Sequence, residues 1–300
     1  MKKIKVLMIA AFASLSLSTS TQAQGAIDGF FAEKGALSVT TSYTRGSFDE
    51  FYQGNELEKG VPAHEEITQD IISVFAKYEI AADFVAYVNL PYISAHGDGV
   101  ADPANGETEI SVFQYVTLGL KYRFHKFEYE NSDLSLISGL AVGLPGDYEP
   151  NGILSIGSGA VTTDLTLGVH FGSDKGFFTT LLASYSFRDD TQENGDFDVP
   201  DAFLAVAKIG YANSFFYADA WLDFSNAVEG VDIGGNGFNV NGFNFPETRV
   251  KYTRVGGTLS KKIGDTGFSG SLAAGTVIDG RNLGKATTFS IGLTYDIELL

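Results

Sequence analysis

The chain has 300 residues, no cysteine and a formal charge of -17, which becomes -20 when three N-terminal lysines leave with a leader. Such an acidic balance excludes nucleic acid as a partner, and the lack of cysteine excludes a disulfide framework and a lipid-anchored lipoprotein. Gly 35, Phe 24 and Tyr 14 at a mean hydropathy of +0.04 describe a chain rich in turn formers and rings but not oily overall. A membrane barrel has this composition, because only alternate residues of its strands need be apolar.

Residues 1–23 read as a cleaved secretory signal: Lys2, Lys3 and Lys5 precede an apolar run from Val6 to Leu17, with Thr21 and Ala23 at the cleavage spacing. Residues 24–35 follow as a short periplasmic segment, and 36–300 as the barrel. No later stretch has the roughly 18 uninterrupted apolar residues of a spanning helix, so a membrane must be crossed by strands.

Twelve strands are predicted in chain order: 36–45, 68–80, 84–93, 111–124, 134–144, 160–171, 176–188, 201–211, 214–224, 248–261, 267–278 and 287–300. The last alternates most cleanly, with Phe289, Ile291, Leu293, Tyr295, Ile297 and Leu299 on one face and Thr288, Ser290, Gly292, Thr294, Asp296 and Glu298 on the other. Short turns and long polar loops alternate between the strands. An outer-membrane barrel has this asymmetry, short turns in the periplasm and long loops outside, and a soluble sandwich has no reason for it. The reading is an antiparallel up-and-down transmembrane β-barrel of about twelve strands, give or take two.

Rings beside the short turns (Tyr78, Phe84, Tyr122, Phe124, Phe127, Phe177, Phe215, Phe216 and Tyr295) suit a lipid interface. The opposite faces give a polar lumen, with Ser38, Thr40, Ser42 and Thr44, Lys77 and Glu79, Lys121, Arg123 and His125, and Asp164 and His170. Tyr217, Asp219, Trp221 and Asp223 on one strand face are the most site-like group, a stacking surface beside carboxylates; simple lumen lining explains them too. With Lys121, Arg123 and Asp164 they are the candidate solute contacts.

No catalytic pattern is complete. His64-Glu65-Glu66 lacks the second histidine of a zinc helix, and the glycine-rich runs fit neither a nucleophile elbow nor a phosphate loop. No cofactor is expected, except that Asp190, Asn194, Asp196, Asp198 and Asp201 fall at calcium-loop positions of an extracellular loop, with Gln192 a poor fit and no flanking helices. Acidic loops that share divalent cations with lipopolysaccharide phosphates are the alternative.

Val88-Asn89-Leu90-Pro91-Tyr92-Ile93, Gly143-Leu144-Pro145-Gly146-Asp147-Tyr148 and Ser155-Ile156-Gly157-Ser158-Gly159 give the chain its resemblance to a known family. It resembles the Gram-negative outer-membrane transporters named for the MetA pathway of phenol degradation, which implies a channel for aromatic or other hydrophobic compounds. The chain departs from the usual outer-membrane ending in an aromatic, since Leu299 and Leu300 come last.

The expected function is passive uptake of a small solute across the outer membrane, with lipid, lipopolysaccharide and the barrel assembly machinery as partners. The loop 225–246 is the expected constriction, through Phe238, Phe243 and Phe245 among Gly and Asn. The rival is a non-conducting structural or ligand-binding barrel. Net charge favours cations or neutral molecules over anions, unless the loop charges lie off the path.

Overall fold

The computed structural model describes residues 28–61, 63–191, 197–240 and 242–298; the proposed signal lies outside them. Its strands are β1 (Ala36–Phe48), β2 (Glu50–Gln53), β3 (Glu56–Lys59), β4 (Ile67–Ala81), β5 (Phe84–His96), β6 (Glu109–Phe113), β7 (Tyr115–Tyr129) and β8 (Ser132–Pro145). There follow β9 (Thr162–Ser173), β10 (Phe177–Arg188), β11 (Ala202–Ala212), β12 (Phe216–Ala227), β13 (Lys251–Lys262), β14 (Phe268–Arg281), β15 (Leu283–Gly284) and β16 (Thr287–Glu298). No helix among the described residues is long and apolar enough to cross a membrane.

Twelve of these strands close into an antiparallel barrel, each paired with its neighbour in the chain, and β16 returns to β1 from Ala36↔Glu298 to Ser47↔Thr287. Closure leaves no sheet edge to be satisfied in lipid. β6 pairs with the upper part of β5 and β7 with the lower, so the two act as one strand broken at the buried Gln114. β2, β3 and β15 form a small sheet at the long-loop end that the sequence had shown only as acidic loop.

The alternation sorts the faces as the closing strand indicated. Leu167, Ile209 and Phe289 are each 65% exposed on the outside, and Leu272 59%, while Thr166, Thr180, Thr258, Ser271 and Thr294 are buried on the inside. Alternate apolar residues that shun each other's company and face outward need a lipid solvent. Phe84 and Tyr122, Phe177 and Tyr211, and Phe268 and Tyr295 pair edge or face beside the short turns, as an interfacial belt would.

The inside departs from the uniformly polar lumen. Ile71, Phe75, Tyr87, Ile93, Ile137 and Leu182 point inward and are buried, because two segments of the chain itself fill the barrel. One is the stretch between β8 and β9, whose Tyr148, Leu154 and Ile156 pack on Ile67, Ile71, Ile93 and Ala95. A Cβ at Gly146 would strike the Phe113 carbonyl and one at Gly157 the Tyr148 hydroxyl, so glycine lets this loop turn inward. The other is the N-terminal segment. His125 also leaves the lumen, because a bulge between Arg123 and His125 swings it out against Phe127, ring centroids 4.3 Å apart.

Candidate functional site

Residues 28–35, expected as a periplasmic extension, run into the short-turn end of the barrel and lie against its wall. Asp28 is buried there, its Oδ1 2.7 Å from Lys121 Nζ and its Oδ2 3.9 Å from Lys77 Nζ. Lys121 also donates to the Phe30 carbonyl at 2.6 Å and stands 4.2 Å above the Phe31 ring, with the Arg123 guanidinium 4.6 Å from the same ring. Phe30 sits edge-on to His170 and Phe178, and Ala32 N donates to Glu79 Oε1 at 3.1 Å. A Cβ at Gly29 would overlap the His170 imidazole, so the segment passes the ring only as glycine. Lys121 and Arg123, proposed from the sequence as solute contacts, thus hold the chain's own segment.

Burial would push the Asp28 carboxyl up, but the nearby charge of Lys121 and then Lys77 outweighs it and holds the group well below the usual carboxylate range. Docking therefore gains from ionised Asp28 at every pH above its ordinary value, and loses that gain only as pH falls toward the depressed one. Between about pH 8 and 5 Asp28 stays charged, so the pH response of channel opening in wild type and Asp28→Asn should have the same shape over that window. His170 and Glu79, which touch the same segment, would set any shape that remains. A divergence between the two proteins within the window, measured in planar bilayers, would disprove this titration of Asp28.

Beyond the plug, toward the long loops, a cavity of about 390 Å³ opens. Its floor is Trp221, which lies across two strands because its neighbours there are Gly256 and Gly275; a Cβ at either would collide with the indole. Trp221 Nε1 is buried without a hydrogen-bond partner. Behind it Asp223 is ion-paired to Arg254, whose guanidinium also lies 4.9 Å over the Tyr252 ring. At the long-loop side Phe238, Phe243 and Phe245 come together, Phe243 and Phe245 stacked at 5.7 Å and 20° and Phe238 edge-on to Phe245 at 5.2 Å. Asn151 clasps this loop to the inward-turned one, donating to the Phe243 carbonyl at 2.6 Å and accepting from Phe245 N at 3.0 Å.

The strand face Tyr217, Asp219, Trp221 and Asp223 is therefore divided between two places. Tyr217 donates to Asp219 at 2.7 Å and stacks on Phe178 beside the plug, whereas Trp221 lines the cavity. Asp164 is buried in the wall between β8 and β10 and does not line the cavity. The residues that sequence reading passed over are Arg188 and Arg254, both lining the cavity and both at inward parity on their strands, which was a usable signal. Of the calcium-loop positions, Asn194 and Asp196 lie outside the described residues, and Asp201 is taken up by the Tyr185 hydroxyl at 3.0 Å and Arg188 N at 2.8 Å. Among the described residues no three acidic or histidine side chains converge as metal ligands.

A closed twelve-stranded antiparallel barrel with apolar outer faces has the architecture of an outer-membrane β-barrel. An outer membrane channel from Pseudomonas putida F1 superposes with a TM-score of 0.70 at 14% identity, covering 90% of this chain and 100% of that one. The NanC porin gives 0.48 at 10% identity over 86% and 98% of the two chains, and the translocator domain of the autotransporter NalP from Neisseria meningitidis 0.45 at 10% over 88% and 89%. No protein-family model and no curated protein sequence matches the chain. The similarity is one of fold.

Proposed function

We propose that the chain is an outer-membrane channel of a Gram-negative cell that takes up a small hydrophobic or aromatic solute by way of the chamber. The observation that carries this reading is the chamber itself: about 390 Å³, walled by rings, open to the long-loop side and stopped below by a segment held through the Asp28 ion pairs with Lys121 and Lys77 and two phenyl rings. A pocket of this size, walled by rings with polar side chains set among them, suits a compact organic solute. Passage follows when residues 28–32 move aside, so the resting channel conducts little. Lipid, lipopolysaccharide and the assembly machinery are its partners in that role, and the acidic outer loops are available to divalent cations.

The test is conductance of the mature protein refolded into planar bilayers, beside a variant lacking residues 28–32. Small or rare steps in the first and larger, sustained ones in the second are expected. Silence in both would favour the non-conducting barrel. The loop carrying the three phenyl rings should narrow the chamber from outside: deleting residues 234–244 removes Phe238 and Phe243 and should raise conductance further in the plug-free channel, by about twofold if constriction and plug act in series. Unchanged conductance would take the constriction away from this loop.

A further inference from the structure

The chamber's charge is opposite to that of the protein. In a chain of formal charge -17, no carboxylate and no lysine among the described residues lines the cavity; the described charged groups that line it are Arg188 and Arg254. Arg254 is balanced by Asp223 behind it. Arg188 differs: Asp201 accepts from its main-chain N, its Nε is buried without a hydrogen-bond partner, and among the described residues it forms no ion pair. Asp164, two residues along β9 from Thr162, the strand partner of Arg188, feels the Arg188 charge but forms no ion pair with it and lies off the lining. A guanidinium whose Nε is left without a partner beside aromatic rings gains a charge-assisted bond when an anion joins it.

We infer that the chamber selects hydrophobic carboxylates, with Arg188 as the specificity-determining residue that receives the carboxylate while Trp221 and the phenyl rings of Phe238, Phe243 and Phe245 hold the hydrocarbon part. This rests on the chamber being the solute site. It reverses the preference that net charge suggests, because Asp164, Asp219 and Asp223 lie off the lining, and the field in a narrow cavity is set first by the groups that line it. Trp221 Nε1 is a second buried donor there without a hydrogen-bond partner.

Trp221 is the single tryptophan of the chain, so its emission reports the chamber alone. Phenylacetate, its uncharged analogue phenylacetamide and plain acetate are titrated into the refolded, full mature protein, and into Arg188→Gln and Arg188→Lys, each first checked for heat-modifiable migration. Wild type should bind phenylacetate tighter than phenylacetamide by roughly tenfold or more, as a charge-assisted bond requires. Acetate should bind far more weakly than phenylacetate. Arg188→Gln should bring phenylacetate and the amide within about twofold of each other without weakening the amide, and Arg188→Lys should keep most of the preference. Equal binding of acid and amide by wild type, or acetate as tight as phenylacetate, would overturn the inference and leave the chamber's role standing. An indole that responds to none of the three would remove both.

Discussion

Lys121→Met should turn a mostly closed channel into one that opens continually. Lys121 is buried, and its ammonium serves Asp28, the Phe30 carbonyl and the Phe31 ring together. With the ammonium gone, Asp28 would stay docked as a buried carboxylate with only Lys77, 3.9 Å away, to balance it. Breaking a buried pair from one side costs about 3–5 kcal/mol, which is comparable to what burying Phe30 and Phe31 contributes at about 1.5–3 kcal/mol each. A barrel wall closed by strand pairs on both sides does not share that loss, so the segment leaves and the barrel stays folded. The ratio of docked to undocked segment should fall by a factor of about 10² to several thousand. In planar bilayers this reads as long, large openings where wild type shows rare ones, with heat-modifiable migration intact. Asp28→Asn in the same background removes the unpaired charge and should restore most of the closed time. A Lys121→Met channel indistinguishable from wild type would show that the ion pair does not hold the plug.

The plug could not be read in the sequence, and the reason is physical. Phe30-Phe31 stand in a run with neither period two nor period 3.6, and Asp28 meets Lys121 across 93 positions through a lumen that exists only after the barrel closes. Lys121 and Arg123 were visible as inward residues by parity, but parity tells a face and not an occupant. The loop between β8 and β9 was hidden for the same reason: Tyr148, Leu154 and Ile156 carry no strand alternation, and they reveal their place only through Ile67 and Ile71 of β4 and Ile93 of β5. Ile71 beside Ile72 was in retrospect a sign, since two adjacent apolar residues in a barrel strand mean that the inner one touches protein as well.

The wall, by contrast, was legible almost residue by residue. A period of two is a local property, fixed by the pleat, and a strand with lipid on one face and a polar interior on the other displays it. The closing strand's Phe289 and Ile291 point to lipid and Ser290 and Thr294 inward, as their order dictates. Strand ends shifted by a few residues where turns donate or withhold a hydrogen bond, as at Asn213, whose side chain accepts from both Phe215 N and Phe216 N and so delays β12. The chamber lay between these extremes. Trp221 was singled out beside Asp223, but Gly256 and Gly275, which seat its ring, and Arg188 and Arg254, which give the cavity its sign, come from three other strands, β10, β13 and β14.

Leu167→Arg should be the costliest single change on the outer wall. Leu167 stands midway along β9, 65% exposed, between Ser138 of β8 and Ala183 of β10, and touches nothing inside the barrel that an arginine would disturb. In water such a replacement would be neutral and would help solubility. At the middle of a bilayer it costs about 2–4 kcal/mol, and near the interface about 0–1 kcal/mol. Ile263→Arg, 50% exposed beside a short turn, is the matching interfacial change. Reversible denaturant unfolding in phosphatidylcholine vesicles should therefore show a large drop for Leu167→Arg and a small one for Ile263→Arg. The contrast matters more than either value, because a general fault in folding would lower both. Equal, negligible effects at the two sites would mean that the apolar face meets water or protein, and the membrane reading of the whole barrel would go with it.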